Sequence, residues 1–216
     1  MRIITGTLKG RKITIPAHVD MRPTSDRAKE SIFSMIEVRK HIAGCTVLDL
    51  FAGTGNLGFE AISRGAQSVL FVEYASAAVD HIEKTAQQFG VQKQIQAARS
   101  SVEAFLSGHP RPFDIVFADP PYDYPEMTRL PEIILKEGWL RPDGWFILEH
   151  DKRHHFGEHP ECVFTKPYGR TIVSIFRMDS SSEKADPEAA HKDSRPDQPP
   201  SNGPAFGPSP ERGPDT

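Results

Sequence analysis

The chain has 216 residues, 38% of them hydrophobic, and a formal net charge of −3. That is enough for one α/β domain with a sizeable core, and length alone does not require two. A mean hydropathy of −0.45, with no apolar run near the ~18 residues a membrane span needs, excludes a membrane-spanning helix.

Met1-Arg2-Ile3-Ile4-Thr5-Gly6 has no signal-like apolar core, so a cytoplasmic protein is expected. In that compartment Cys45 and Cys162 are expected as reduced thiols. From Asp179 onward eight acids face four bases, which leaves the body near +1. The first thirty residues concentrate bases: Arg2, Lys9, Arg11, Lys12, Arg22, Arg27 and Lys29 against Asp20, Asp26 and Glu30. Such a local excess is a candidate phosphate-contacting surface.

In chain order, Arg2–Thr5 and Arg11–Ile15 are β-prone, and Gly6 and Gly10 flank the turn between them, so a basic β-hairpin is predicted. Ser25 or Asp26 caps a helix whose apolar positions Ala28, Ile32, Phe33 and Ile36 recur at helical spacing. From Gly44 the pattern alternates. Strands are predicted at 46–51, 68–73, 95–99, 113–118 and 145–149, with helices at 57–64, 75–89, 102–106 and 126–136. Apolar runs such as Ile115-Val116-Phe117 fit strands covered on both faces by helices. Two last runs, 162–166 and 171–178, joined by a Tyr168-Gly169 turn, predict an antiparallel edge. After Met178 come eight prolines and, among large apolar residues, only Phe206, which predicts a disordered tail. The expected division is 1–43 as a basic extension, 44–178 as the main domain and 179–216 as the tail.

Two motifs carry chemistry. Asp49-Leu50-Phe51-Ala52-Gly53-Thr54-Gly55-Asn56-Leu57-Gly58 places a G-x-G-x-x-G turn between a strand and a helix, with Glu73 at the next strand end. Glycine lets a ligand approach the backbone, the helix start offers free N–H groups, and a strand-end carboxylate accepts ribose hydroxyls. Those features suit a dinucleotide and S-adenosylmethionine equally. Asp119-Pro120-Pro121-Tyr122 separates the two. The Asp119 carboxylate and Pro120 carbonyl are suited to hold the two N–H bonds of a nucleobase amine and direct its lone pair at a sulfonium methyl. Asp119 then faces the positive charge that develops on nitrogen. Tyr122 offers a stacking surface for an extruded base.

These motifs, with Arg22-Pro23-Thr24-Ser25-Asp26-Arg27-Ala28-Lys29-Glu30, the opening Arg2-Ile3-Ile4 and Lys9-Gly10-Arg11-Lys12, resemble the RsmD-type 16S ribosomal RNA (guanine-N2)-methyltransferases over residues 1–178. Glu149-His150-Asp151 and Tyr168-Gly169 resemble that family's carboxyl half. The resemblance implies a Rossmann-like class I α/β fold with a seven-stranded, mostly parallel sheet and an antiparallel edge. It also implies S-adenosylmethionine as methyl donor and a guanine of 16S rRNA, in the small ribosomal subunit or a late assembly intermediate, as acceptor. A monomer is expected.

By position, Asp49, Phe51, Gly53, Thr54 and Gly55 line the methionine and ribose part, and Glu73 binds the ribose. Such enzymes usually carry Asp or Asn after the third strand to meet the adenine amine; Ser101, preceded by Ser100, stands there instead. Asp119, Pro120 and Tyr122 are the catalytic assignment, and Arg2, Lys9, Arg11, Lys12, Arg22 and Arg27 the RNA-binding one. The acid-Pro-Pro-aromatic loop is shared with DNA adenine-N6 methyltransferases, but no segment here is long enough for a target-recognition domain. A non-catalytic RNA-binding module is the other alternative, opposed by the intact motifs. His150, His154, His155, His159 and Cys162 match no common zinc spacing and are read as mostly surface residues. Arg64, Lys84 and Arg129 are read as solvated.

Overall fold

A computed structural model describes residues 1–14 and 26–177. Arg22 and the proposed tail lie outside the described residues, as does the side chain of Arg27. Helix α1 (Asp26–Arg39) precedes an alternating series: β1 (Thr46–Leu50), α2 (Asn56–Ser63), β2 (Ser68–Glu73), α3 (Ser76–Phe89), β3 (Ile95–Arg99), α4 (Val102–Leu106), β4 (Phe113–Ala118), α5 (Leu130–Lys136) and β5 (Leu140–His150). Strands β6 (Cys162–Tyr168) and β7 (Thr171–Arg177) close the series. The seven strands form one sheet in the order β3-β2-β1-β4-β5-β7-β6. The β3-to-β5 part is parallel, while β7 pairs antiparallel with both β5 and β6. This is the class I α/β arrangement that the resemblance implies, with the parallel, helix-covered strands expected from the alternation.

Strand alternation builds two apolar layers. Val47, Val69, Phe71, Ile115, Phe117 and Ile147 face one side with α1, α2 and α3. Leu48, Leu50, Leu70, Val72, Val116 and Leu148 face the other with α4 and α5. Because the inner parallel strands β1, β2 and β4 bury both faces, an unbroken apolar run is the stable choice there, whereas the edge strand β3 is only partly buried.

The predicted hairpin is reduced to a single antiparallel bridge between Arg2 and Lys12. The Ile3 N–H donates to the Arg11 carbonyl at 2.9 Å, and the Gly10 N–H returns to the Ile3 carbonyl at 2.9 Å. Gly6 holds φ +88, and a Cβ there would lie 1.8 Å from the Ser63 carbonyl oxygen, so only glycine fits this approach. Ile3, Leu8 and Ile13 join the same apolar layer as Val47 and Phe71.

Several elements differ from expectation. Strand β5 begins at Leu140, not 145, because Leu140 pairs with Phe113 ahead of the main ladder that starts at Trp145 and Ile115. Asp143 takes φ 59, and the pairing of β5 with β4 shifts register between Phe113 and Ile115. Helix α5 begins at Leu130 with Pro131 in its first turn, where a missing N–H costs nothing. Arg64 is no solvated residue. Its side chain is buried over the Phe33 ring at 4.8 Å and paired with Glu60 and Glu37, each at 2.9 Å. His150 is also buried rather than superficial, its ring nitrogens 2.8 Å from Ser174 Oγ and 2.9 Å from the Asp151 carbonyl. Burial lowers its pKa and favours the neutral ring.

Candidate active site

The register fixes where the two motifs meet. Leu50 pairs with Val72 on one side and with Ala118 on the other. The next residue of each strand therefore forms a row at the carboxyl edge: Glu73, Phe51, Asp119. The glycine turn and the acid-Pro-Pro-aromatic loop leave from adjacent strand tips, the position where open α/β sheets hold ligands.

Each motif residue has a local reason for its place. Phe51 takes φ 57, a strained conformation for a non-glycine residue, and its ring meets Tyr124 edge-on at 4.9 Å. Gly53 and Gly55 hold φ 55 and 76, which suits the turn into α2. A Cβ on Gly55 would meet the Phe59 ring at 2.9 Å, and one on Gly58 would meet Phe71 at 2.2 Å. The later glycines thus serve close packing of α2 on β2. Glu73 accepts the Gly53 N–H through Oε2 and the Ala75 N–H through Oε1, both at 2.9 Å. That clasp ties the turn to the end of β2 and leaves further lone pairs on each oxygen. Asp49 is buried and accepts the Gly58 N–H at 2.9 Å. Burial, opposed by that bond and reinforced by the neighbouring charges of Asp119 and Glu73, pushes its carboxyl well above the usual range. Thr54 is buried, its hydroxyl 3.8 Å from Met1 Sδ. Two carboxylates, Glu73 and Asp119, so stand at the ends of strands flanking β1 and favour a cation there.

Ser101 follows β3 at the same edge and has a structural task there. Its hydroxyl caps α4, accepting the Ala104 N–H at 3.2 Å. Ser100 remains at the edge, its N–H donating to the Glu73 carbonyl at 3.0 Å.

The acceptor loop is fastened from the carboxyl half. Pro120 is buried, and the Tyr124 N–H closes a turn onto the Pro121 carbonyl at 2.9 Å. The Tyr122 hydroxyl lies 3.0 Å from Thr171 Oγ1, and its carbonyl accepts from Arg153 Nη2 at 2.7 Å. Nothing in the sequence spacing singled out Arg153 or Thr171.

Beneath the glycine turn sits a buried ionic network that charge counting also missed. Lys29 Nζ reaches the Arg2 carbonyl at 2.7 Å, Asn56 Oδ1 at 2.8 Å and Glu60 Oε2 at 3.3 Å. Glu60 also accepts the N–H groups of Ile4 and Thr5. The network pins the amino-terminal segment to the helix that the glycine turn opens.

The amino-terminal cations divide. Arg2 and Lys12 pair through their main chains, and the Arg2 carbonyl accepts from Lys29, which also bonds Asn56 at the start of α2. Arg11 instead donates to the Gln88 carbonyl at 2.8 Å and lies 5.4 Å from the Phe89 ring, at the carboxyl end of α3. Lys9 sits in the turn whose Thr7 N–H bonds Ser63, the last residue of α2. Both helices run back from the ligand edge, so Lys9 and Arg11 are not brought together with the acceptor loop.

A family model described as conserved hypothetical protein 95 matches residues 1–177. The ribosomal RNA small subunit methyltransferase D of Haemophilus influenzae is 33% identical over 155 residues, 70% of this chain and 79% of that protein. Among solved structures, the Escherichia coli protein yhhF matches with a TM-score of 0.73 at 27% identity, over 83% of this chain and 98% of its own. An RNA methyltransferase from Salinibacter ruber in complex with S-adenosyl-L-homocysteine shares the fold, with a TM-score of 0.59 at 14% identity over 76% of this chain and 98% of that one.

Proposed function

This chain belongs to the conserved hypothetical protein 95 family, that of the RsmD-type methyltransferases, and from that premise we propose that it methylates the exocyclic N2 amine of a guanine in 16S rRNA. The observation that carries the reading is the row Glu73–Phe51–Asp119, which sets a cofactor turn beside an amine-holding loop on one sheet edge. S-adenosylmethionine suits this edge: the carboxylates of Glu73 and Asp119 favour its sulfonium charge, and the glycine turn admits close backbone approach. When bound, it supplies an electrophilic methyl group.

The chain's own residues do the rest. Glu73 accepts ribose hydroxyls with the lone pairs its two main-chain bonds leave open. Phe51, Gly53, Thr54 and Gly55 wall the methionine and ribose part, with Asp49 bracing the turn through Gly58. Asp119 and the Pro120 carbonyl accept the two amine N–H bonds, which turns the nitrogen lone pair towards the donor. As charge grows on nitrogen, Asp119 stabilises it without prior removal of a proton. Holding both reactants in line supplies much of the remaining acceleration. Tyr122 stacks on the base; a stacked base gains about 1–3 kcal/mol. Arg2 and Lys12, with Arg22 and Arg27, meet phosphates of the same RNA.

Asp119→Ala tests the assignment. Methyl transfer to rRNA should be lost while calorimetric cofactor affinity stays within about twofold, because the acid touches the base. Equal loss of both would place Asp119 in cofactor binding instead.

A further inference from the structure

Tyr122 is held twice, from the turn that follows β5 and from the first residue of β7. Its carbonyl accepts from Arg153 Nη2 at 2.7 Å, and Arg153 is itself fixed by Asp151, which takes its Nε at 2.7 Å and its main-chain N–H at 3.0 Å. Asp151 follows His150, the buried last residue of β5. The phenol meets Thr171 Oγ1 at 3.0 Å, on the first residue of β7. The turn before Thr171 is held too: Gly169 takes φ 66, and the Tyr168 hydroxyl bonds Ser31 on α1. Pro120 and Pro121 restrict the backbone that leads into Tyr122.

A half-buried tyrosine in a loop would otherwise exchange rotamers, and stacking on a base would have to stop that motion. Two anchors remove the cost before the base arrives. They also give the antiparallel β6–β7 pair a task at the parallel part of the sheet: it reaches back to the loop after β4. We propose that Thr171 and Arg153 are positioning residues that hold Tyr122 as a preset stacking platform for the acceptor base, an inference that rests on the function proposed above. Neither residue touches the reacting atoms; each acts through the orientation of the ring.

The test is a double-mutant cycle with a rescue. Thr171→Val and Tyr122→Phe each remove one side of the hydroxyl bond while keeping shape, and Thr171→Ser restores it. Loss of one such bond predicts a fall of about 2- to 12-fold in kcat/KM for rRNA, with cofactor affinity unchanged. The double variant should be no worse than either single one, and T171S should lie within about twofold of wild type. Protein labelled with 3-fluorotyrosine gives a readout that needs no turnover. The Tyr122 resonance, assigned by its loss in Y122F, should shift in T171V and return in T171S. Multiplying effects in the double variant, or an active enzyme whose T171V form matches wild type in rate and in spectrum, would overturn the clamp. A wild-type protein that transfers no methyl group would overturn the function beneath it, and the fluorine spectra would then decide the clamp alone.

Discussion

Glu60→Gln offers a demanding test of how the site is supported. Glu60 is fully buried and is the shared counter-ion of Lys29 at 3.3 Å and Arg64 at 2.9 Å. It also accepts the N–H groups of Ile4 at 2.8 Å and Thr5 at 3.0 Å. At an effective dielectric of about 20, the Coulomb attraction at 3.3 Å is about 5 kcal/mol before desolvation is subtracted. The glutamine withdraws that charge from two buried cations and turns an amide donor towards one of the main-chain N–H groups. Breaking a buried pair in this way costs about 3–5 kcal/mol. For a domain of this size, about 2–4 °C per kcal/mol translates the loss into a Tm lower by about 6–20 °C. Lys29→Met should cost less, because Glu60 then keeps Arg64 and both main-chain donors. Differential scanning calorimetry on the two variants reads the asymmetry directly. A loss below about 1 kcal/mol for E60Q, or a greater loss for K29M than for E60Q, would refute the assignment of Glu60 as the hub.

Asp49 and Gly58 give two further expectations. The folded-state pKa of Asp49 is raised, so its contribution to stability is complete below the unfolded-state value and is lost as pH rises through the folded one. Asp49→Asn, which keeps an oxygen for the Gly58 N–H, should therefore melt higher than wild type at neutral and alkaline pH. The gain should fade as pH falls towards about 4; a melting difference independent of pH would contradict this. Gly58→Ala puts a Cβ 2.2 Å from the buried Phe71 ring. Overpacking of about 1–3 kcal/mol outweighs the gain of up to about 1 kcal/mol in helix propensity, so Tm should fall and cofactor binding weaken. An unchanged melting curve would show that Phe71 moves aside freely.

Much of this architecture is legible in the chain because two periodicities announce it. Buried runs such as Ile115-Val116-Phe117 and glycine punctuation at Gly53 and Gly55 mark where strands stop and ligand loops start. The strand limits 68–73, 95–99 and 113–118 agree with those in the structure. Sequence fails where a local signal is overruled by tertiary pairing. The local pattern starts β5 at 145, yet pairing of Leu140 with Phe113 extends it five residues earlier, across a register shift. Charge counting fails for a different reason: it does not distinguish a solvated cation from a buried one. Lys29 and Arg64 look like surface bases but serve as internal ties, and Arg11 is committed to the end of α3 rather than to the acceptor loop. Ser101 stands at the expected adenine position and also caps α4, a second task that its position alone does not announce. The anchors of Tyr122 are 31 and 49 residues away along the chain, a separation that no short motif encodes.

The central claim is that a methyl donor and a guanine amine meet between Glu73 and Asp119. Mass-spectrometric nucleoside mapping of 16S rRNA incubated with the purified protein and methyl-labelled S-adenosylmethionine tests it most directly. The account predicts label in N2-methylguanosine at a single position, absent with Asp119→Ala. Label on adenine N6, on another atom of guanine, or nowhere in the RNA would contradict it.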